Sequence, residues 1–192
     1  MIRIGIATLV ATLSTLGLTS AVAKPPAVVS EHETNEVRNK SHRWVLPGAS
    51  AEEQKVLEYF QDYGITDKAA LAVLLGNIKQ ESKFNTRICE GGKHTGYHHC
   101  HRGGFGLIQW TTPGRYAGLK RYALNNKCDI HSLECQLGYV THEVEWRKVE
   151  HRFKTPGKSI GAYMLDAHRW LGWGVHGSRT TYANQYFNRL TR

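Results

Sequence analysis

The sequence predicts a mainly α-helical protein: a bundle of about six helices around a central helix, with a glycine-rich lobe of loops and a short hairpin. Two observations predict this fold. Apolar residues recur at helical spacing through much of residues 50–192. One stretch, residues 67–82, is apolar on nearly all sides, which is typical of a helix at the centre of its domain. Between residues 85 and 113 the helical spacing stops and glycines become frequent, which indicates loops.

The first 23 residues differ from the rest of the chain. Arg3 is their only charge, an apolar run follows, and small residues stand at Ala21 and Ala23. This layout predicts a secretory signal peptide cleaved after Ala23; the alternative is an uncleaved anchor, for which the run is short. We therefore expect an exported protein, periplasmic or extracellular, with no stable membrane insertion after cleavage.

A flexible N-terminal segment, residues 24–49, follows the signal peptide, since it contains prolines and shows no periodicity. The folded domain is then residues 50–192. Its first helix should begin at a capping box, with Ser50 as the N-cap and Glu53 reaching back, and should end at Gly64. Thr66 is the expected cap of the central helix.

The remaining helices return after the glycine-rich stretch. Helical spacing resumes over residues 114–126, Ser132 can cap a fourth helix, and Ser159 can cap a fifth over residues 160–171. The segment "RTTYANQYFNRL" predicts the last helix. The fourth helix should carry an apolar face made of Leu133, Leu137, Val140 and Val144.

Four cysteines indicate two disulfides in an exported protein. Three pairings are possible, and Cys89–Cys100 with Cys128–Cys135 is favoured because each pair brackets a short polar stretch. The alternative is zinc, since four histidines stand among residues 89–101. The tight C-x2-C element of structural zinc sites is missing there, so we expect no metal.

The chain carries a formal net charge of +9, which favours a polyanionic partner such as nucleic acid, anionic membrane or cell-wall polymer. The basic residues are scattered and form no block of five, so we expect no nucleic-acid partner. No phosphate-cradling glycine motif stands at a strand–helix junction, so we expect no organic cofactor.

Glu81 is the residue that most needs an explanation. It lies three residues after Ile78 and seven after Leu74, at the end of the buried stripe of the central helix. A carboxyl group in that place is either paired with a cation or kept for chemistry. Partial burial would raise its pKa, and a carboxylic acid that stays protonated near neutral pH can act as the general acid of glycosidic bond cleavage.

Two motifs carry a resemblance to a known family. The segments "QESKFN" at 80–85 and "GGFGLIQWT" at 103–111 resemble the paired signature of the lysozyme-like superfamily. The continuation "GLIQWTTPGRYAGL" is most similar to phage tail lysozyme domains, which are related to soluble lytic transglycosylases and goose-type lysozymes. The resemblance covers roughly residues 51–190 and implies a lysozyme-like fold.

The resemblance implies that Glu81 is the catalytic glutamate. It also implies a set of substrate-binding residues, namely Ser82, Asn85, Phe105, Gly106, Gln109, Trp110 and Tyr182. Gly106 would let the backbone approach the substrate, and Ser82 would support Glu81 or contact sugar. Phe105 and Trp110 would pack beneath sugar rings or stack on them. Plain packing is the alternative for Gln109, Trp110 and Tyr182.

The implied activity is that of a peptidoglycan muramidase, which cleaves the β-1,4 bond between N-acetylmuramic acid and N-acetylglucosamine. We expect the protein to be a monomer. Hydrolysis usually needs a second carboxylate, and Glu90 is the nearest candidate in the sequence. Without one, Glu81 alone would make the chain a lytic transglycosylase that forms 1,6-anhydro products. A third reading is a non-catalytic cell-wall binding or assembly module.

Overall fold

A computed structural model describes residues 43–100 and 103–192, and the predicted signal peptide and most of the N-terminal segment lie outside these ranges. The described chain is mainly helical, which confirms the predicted fold class. The helices are α1 (Ala51–Asp62), α2 (Lys68–Ser82), α3 (Pro113–Asn126), α4 (Leu133–His142), α5 (Val144–Arg147), α6 (Glu150–Lys154), α7 (Ile160–Leu171) and α8 (Arg179–Arg189). Strands β1 (Ile88–Cys89) and β2 (Lys93–His94) form an antiparallel hairpin, followed by a 3-10 turn at Tyr97–His99.

Most of the predicted helix starts are present. Both hydrogen bonds of the capping box between Ser50 and Glu53 are present. Ser132 and Ser159 cap α4 and α7. The cap of α2 is Asp67 rather than Thr66: its Oδ1 accepts from the backbone N–H groups of residues 69 and 70 at 2.8 and 3.0 Å. Asp67 gains a further stabilising contact, because its Oδ2 accepts from the backbone of Gly157 at 2.8 Å.

Helix α2 is the central helix. Ten consecutive residues, 69–78, are buried, so this helix is covered by protein on all sides over most of its length. Helix α8 crosses it closely at Gly76, where an added Cβ would lie 2.6 Å from the backbone nitrogen of Ala183. This close crossing fixes the position of α8 against the carboxyl end of α2.

The helix predicted to run through Val144 is broken one residue earlier. Helix α4 ends at His142, and Glu143 adopts an extended backbone with φ −68° and ψ 151°. Glu143 is 4% exposed, whereas Val144, which was expected on the apolar face, is 57% exposed. The break turns a carboxylate inward and an apolar side chain outward, and the short helices α5 and α6 follow it. These two helices account for the difference between the six predicted helices and the eight found within residues 43–100 and 103–192.

Both favoured disulfides are present, Cys89–Cys100 and Cys128–Cys135. The first one ties the hairpin to the 3-10 turn of the glycine-rich lobe. Because all four thiols are consumed, none is left to ligate zinc, and the described residues contain no group of three or more metal-ligating side chains. Within the same residues, no helix has the length and apolar character needed to cross a membrane.

Replacing Gly76 with alanine adds a methyl group at the crossing of α2 and α8. We expect Gly76→Ala to lower the free energy of unfolding by about 1–3 kcal/mol, because the methyl group would meet rigid backbone rather than a movable side chain. Urea unfolding measures the change. Gly161→Ala in α7 is the matched control: a Cβ there meets only the Ser159 hydroxyl at 3.9 Å, so stability should stay the same or rise. Equal stability of Gly76→Ala and wild type would contradict the close crossing.

Candidate active site

A cleft of about 520 Å³ opens at the carboxyl end of α2. Its walls are the β1–β2 hairpin, the glycine-rich loop before α3, the start of α3, and the loop between α7 and α8. The polar and aromatic side chains that line it are Glu81, Glu90, Gln109, Thr111, Thr112, Arg115, Trp173 and Arg179. The two halves of the sequence motif, residues 80–85 and 103–111, therefore meet at one cleft.

The chain leaves α2 through two residues in left-handed conformation, Lys83 (φ 51°) and Phe84 (φ 64°). Just before this sharp exit, Glu81 lies at the cleft and Ser82 lies in the interior. The Ser82 hydroxyl is buried and donates to the carbonyl of Leu107 at 2.8 Å. Ser82 was expected either to support Glu81 or to contact sugar. Its hydrogen bond ties the end of α2, which carries Glu81, to the glycine-rich loop, and Ser82 does not line the cleft.

The Glu81 side chain is 14% exposed, and its Oε1 accepts a hydrogen bond from Nη2 of Arg179. Burial raises the pKa of Glu81, while the positive charges of Arg179 and, to a smaller extent, Arg115 oppose that rise. Burial is the larger effect, so the pKa lies above its ordinary value. The two explanations offered for this residue from the sequence, cation pairing and a raised pKa, are thus both present.

Arg179 is the first residue of α8 and was not identified from the sequence. Its side chain is 6% exposed. Nη1 donates to the carbonyls of Val175 and His176 at 2.8 Å each, and the guanidinium carbon lies 4.6 Å from the ring centroid of Trp173. Arg179 therefore connects Glu81 to the α7–α8 loop that forms one wall of the cleft.

A second arginine–carboxylate pair supports the wall formed by the start of α3. Arg115 donates from Nε and Nη2 to the two oxygens of Glu143 at 2.8 and 2.7 Å. The same carboxylate accepts from the indole N–H groups of Trp110 at 3.2 Å and Trp170 at 2.8 Å. Four donors satisfy this buried anion, which makes it a structural junction between α3, α4 and α7.

The aromatic residues of the motif lie beneath the cleft. Trp110 and Phe105 are both fully buried, and the Trp110 indole is committed to Glu143. Phe105 packs edge-on against Tyr97 and Tyr116. In this structure neither ring can stack on a sugar, so the packing role describes both of them.

Gly106 and Gln109 shape the cleft in different ways. Gly106 has φ +75°, and a Cβ there would lie 2.6 Å from Oε1 of Gln136. Glycine is required here by a close approach to a side chain of α4, while the predicted approach of this backbone to substrate stays a prediction. Gln109 does line the cleft, with its amide nitrogen donating to the carbonyls of Ile88 and Gly106 at 3.1 and 2.9 Å.

The other predicted residues divide between the cleft and the surface around it. Glu90 lines the cleft on the hairpin and accepts from the backbone N–H of Gly104 at 3.1 Å. Asn85 instead lines a separate depression and bonds to His94 at 2.9 Å. Tyr182 lies outside the cleft lining, with Nζ of Lys79 4.9 Å from its ring centroid. Neither Asn85 nor Tyr182 therefore lines the cleft with Glu81.

Comparison with known proteins assigns the chain to a family. The sequence profile of phage tail lysozyme matches residues 51–190, from the first residue of α1 to just after α8, and so includes the whole cleft. No curated protein sequence gives a significant match. The family profile spans well over half of the chain, as the paired motifs around Glu81 and Gln109 indicated. The chain belongs to the phage tail lysozyme family, within the lysozyme-like superfamily.

Proposed function

We propose that the protein is a muramidase that cleaves the β-1,4 bond between N-acetylmuramic acid and N-acetylglucosamine in peptidoglycan, with Glu81 as the general acid. One observation carries this proposal: the carboxyl group of Glu81 is largely buried in an open cleft, and burial raises its pKa. Membership of the phage tail lysozyme family supports a peptidoglycan substrate.

In the proposed reaction, protonated Glu81 donates its proton to the glycosidic oxygen as the bond to the anomeric carbon breaks. A glutamate with its ordinary pKa would be almost fully ionised near neutral pH and would hold too little of this proton. The open cleft admits an extended glycan chain, and the net charge of +9 favours approach to anionic wall material. The protein is exported and acts in the periplasm or outside the cell.

The fate of the anomeric carbon depends on a second group. Glu90 is the other carboxylate that lines the cleft within the described residues, and it serves in the muramidase as the nucleophile or the base that activates water. One observation favours the lytic transglycosylase route instead. Glu90 is exposed and accepts from the backbone of Gly104, a contact that suits a loop-stabilising role.

Replacing Glu81 with glutamine keeps the size of the side chain and removes the acid. We expect Glu81→Gln to lower the rate of peptidoglycan cleavage by about 10²–10⁴-fold, while binding to purified sacculi persists. Release of soluble muropeptides measures the rate, and co-sedimentation measures the binding. Glu58→Gln, at an exposed position of α1, is the matched control and should cleave at the wild-type rate. A fully active Glu81→Gln protein would refute the assignment, and a wild type that binds without cleaving would indicate the non-catalytic module.

The products separate the two enzymatic routes. A muramidase releases reducing muramic acid ends, whereas a lytic transglycosylase releases 1,6-anhydro ends, and mass spectrometry of the digest distinguishes them. We expect reducing ends from the wild type and a loss of at least about 10²-fold in rate for Glu90→Gln. Anhydro ends, together with full activity of Glu90→Gln, would establish the transglycosylase instead.

The raised pKa of Glu81 also predicts how stability depends on pH. The folded protein holds this proton more tightly than the unfolded chain, so the wild type loses stability as pH rises from the ordinary value of 4.5 through the raised pKa. Glu81→Gln removes this loss. The Tm of the variant minus that of the wild type should therefore increase with pH across that interval, as measured by thermal unfolding. A difference that shrinks with rising pH would mean that the pKa of Glu81 is lowered.

A further inference from the structure

The two arginine–carboxyl pairs at the cleft are bonded differently. Arg115 uses both donors of one guanidinium edge, Nε and Nη2, to grip the two oxygens of Glu143. Arg179 bonds to Glu81 through Nη2 alone, which donates to Oε1. The Nε of Arg179 is buried and, within the described residues, has no hydrogen-bond partner. One donor is thus left over beside the carboxyl group of Glu81.

The geometry of the guanidinium group makes this donor significant. Nε and Nη2 carry parallel N–H bonds, and together they match the two oxygens of an ionised carboxylate. In a protonated carboxyl group the hydroxyl oxygen is a poor acceptor, so one of these two N–H bonds is strong and the other is weak. The single bond between Arg179 and Glu81 is therefore the arrangement suited to the acid form, and the arrangement of Arg115 and Glu143 is suited to the ionised form.

The orientation of Arg179 is held from the other side. Nη1 is bonded to the carbonyls of Val175 and His176, and Trp173 lies against the guanidinium plane. The α7–α8 loop that carries these residues is itself tied to α2, since Gln80 accepts from the backbone of Ser178 at 2.9 Å. The unbonded Nε–H therefore stays at Glu81 rather than turning to another acceptor.

We propose that Arg179 is a positioning residue that holds the acid form of Glu81 by one hydrogen bond and grips its carboxylate form by two, so that its Nε–H becomes bonded as the catalytic proton leaves. This proposal rests on the proposed function for its catalytic meaning. In the acid form Nη2 fixes Oε1, and Oε2 is left to carry the proton towards the cleft.

Proton transfer from Glu81 is coupled to cleavage of the glycosidic bond. The O–H bond of Oε2 breaks and leaves its electron pair on Oε2, while the proton bonds to the glycosidic oxygen. The bond between that oxygen and the anomeric carbon breaks, and its electron pair goes to the leaving oxygen. Water, or the C6 hydroxyl of the substrate, then attacks the anomeric carbon. Where Glu90 is not the base, the attacking group gives its proton to Glu81; where Glu90 is the base, Glu90 takes that proton and Glu81 regains one from solvent. Nε of Arg179 is bonded only in the interval between these two transfers.

The charged groups that face Glu81 come from three elements. Arg179 lies on α8, Arg115 on α3 and Glu90 on the hairpin. His176, on the adjoining loop, bonds to Thr180 at 2.8 Å. Arg115 is already committed to Glu143, so Arg179 is the group whose bonding can respond to the charge on Glu81.

Nuclear magnetic resonance of the Nε–H groups tests the proposal without a variant that risks unfolding. In wild-type protein labelled with ¹⁵N-arginine, the Nε–H proton of Arg179 should move downfield as Glu81 ionises, with the same midpoint as the ¹³C signal of the Glu81 carboxyl carbon. Loss of the signal in Arg179→Lys assigns it. The Nε–H of Arg115, which is bonded throughout, should stay fixed, and Glu81→Gln should abolish the movement. An Arg179 signal that does not move while Glu81 titrates would overturn the proposal.

Kinetics test the catalytic consequence separately. Arg179→Lys keeps the charge but lacks the paired donors, so we expect its kcat on soluble glycan chains to fall about 10²-fold with little change in KM. Arg121→Lys, the same replacement at an exposed arginine of α3 outside the cleft lining, is the matched control and should keep the wild-type kcat. A folded Arg179→Lys protein with wild-type kcat would overturn the paired-donor role. If the wild type itself cleaves no glycan, the proposed function fails, whereas the resonance experiment still decides how Arg179 holds Glu81.

Discussion

The cleft depends on one interaction, the contact between the buried carboxyl group of Glu81 and the guanidinium group of Arg179. Burial alone would make the ionised form of Glu81 costly, and an arginine alone would hold the carboxylate permanently ionised. Together they leave a carboxyl group with a raised pKa beside a cation that can stabilise its ionised form. The close crossing of α2 and α8 at Gly76 makes this possible, because it fixes the first residue of α8 beside the last turn of α2.

The rest of the domain keeps the surroundings of this pair in place. Ser82 anchors the glycine-rich loop to the end of α2, and the first disulfide holds the hairpin. Next to the start of α3, Glu143 joins α3, α4 and α7 through four hydrogen bonds and fixes Arg115. Two of these residues, Ser82 and Trp110, are ones that the family resemblance implies at the substrate. Part of the motif therefore supports the cleft from within the protein.

Local features could be predicted from the sequence, and long-range ones could not. Ser50, Ser132 and Ser159 were identifiable as caps because a cap depends on residues a few positions away. Arg179 and Glu81 are 98 positions apart, and no local pattern distinguishes the buried Arg179 from a solvent-exposed basic residue at a helix start. Val144 was misplaced for the same reason: the helix breaks because Glu143 turns towards distant tryptophan and arginine donors, which outweighs helical periodicity.

The central claim is that burial outweighs the attraction of Arg179, so that Glu81 keeps its proton above the pH at which a glutamate in water loses it. The most direct measurement is a ¹³C titration of the carboxyl carbon of Glu81 in the wild-type protein, with the signal assigned by its absence in Glu81→Gln. A midpoint clearly above 4.5, the ordinary value, is the predicted result. A midpoint at or below that value would contradict the claim, because Glu81 would then be a carboxylate held in an ordinary ion pair.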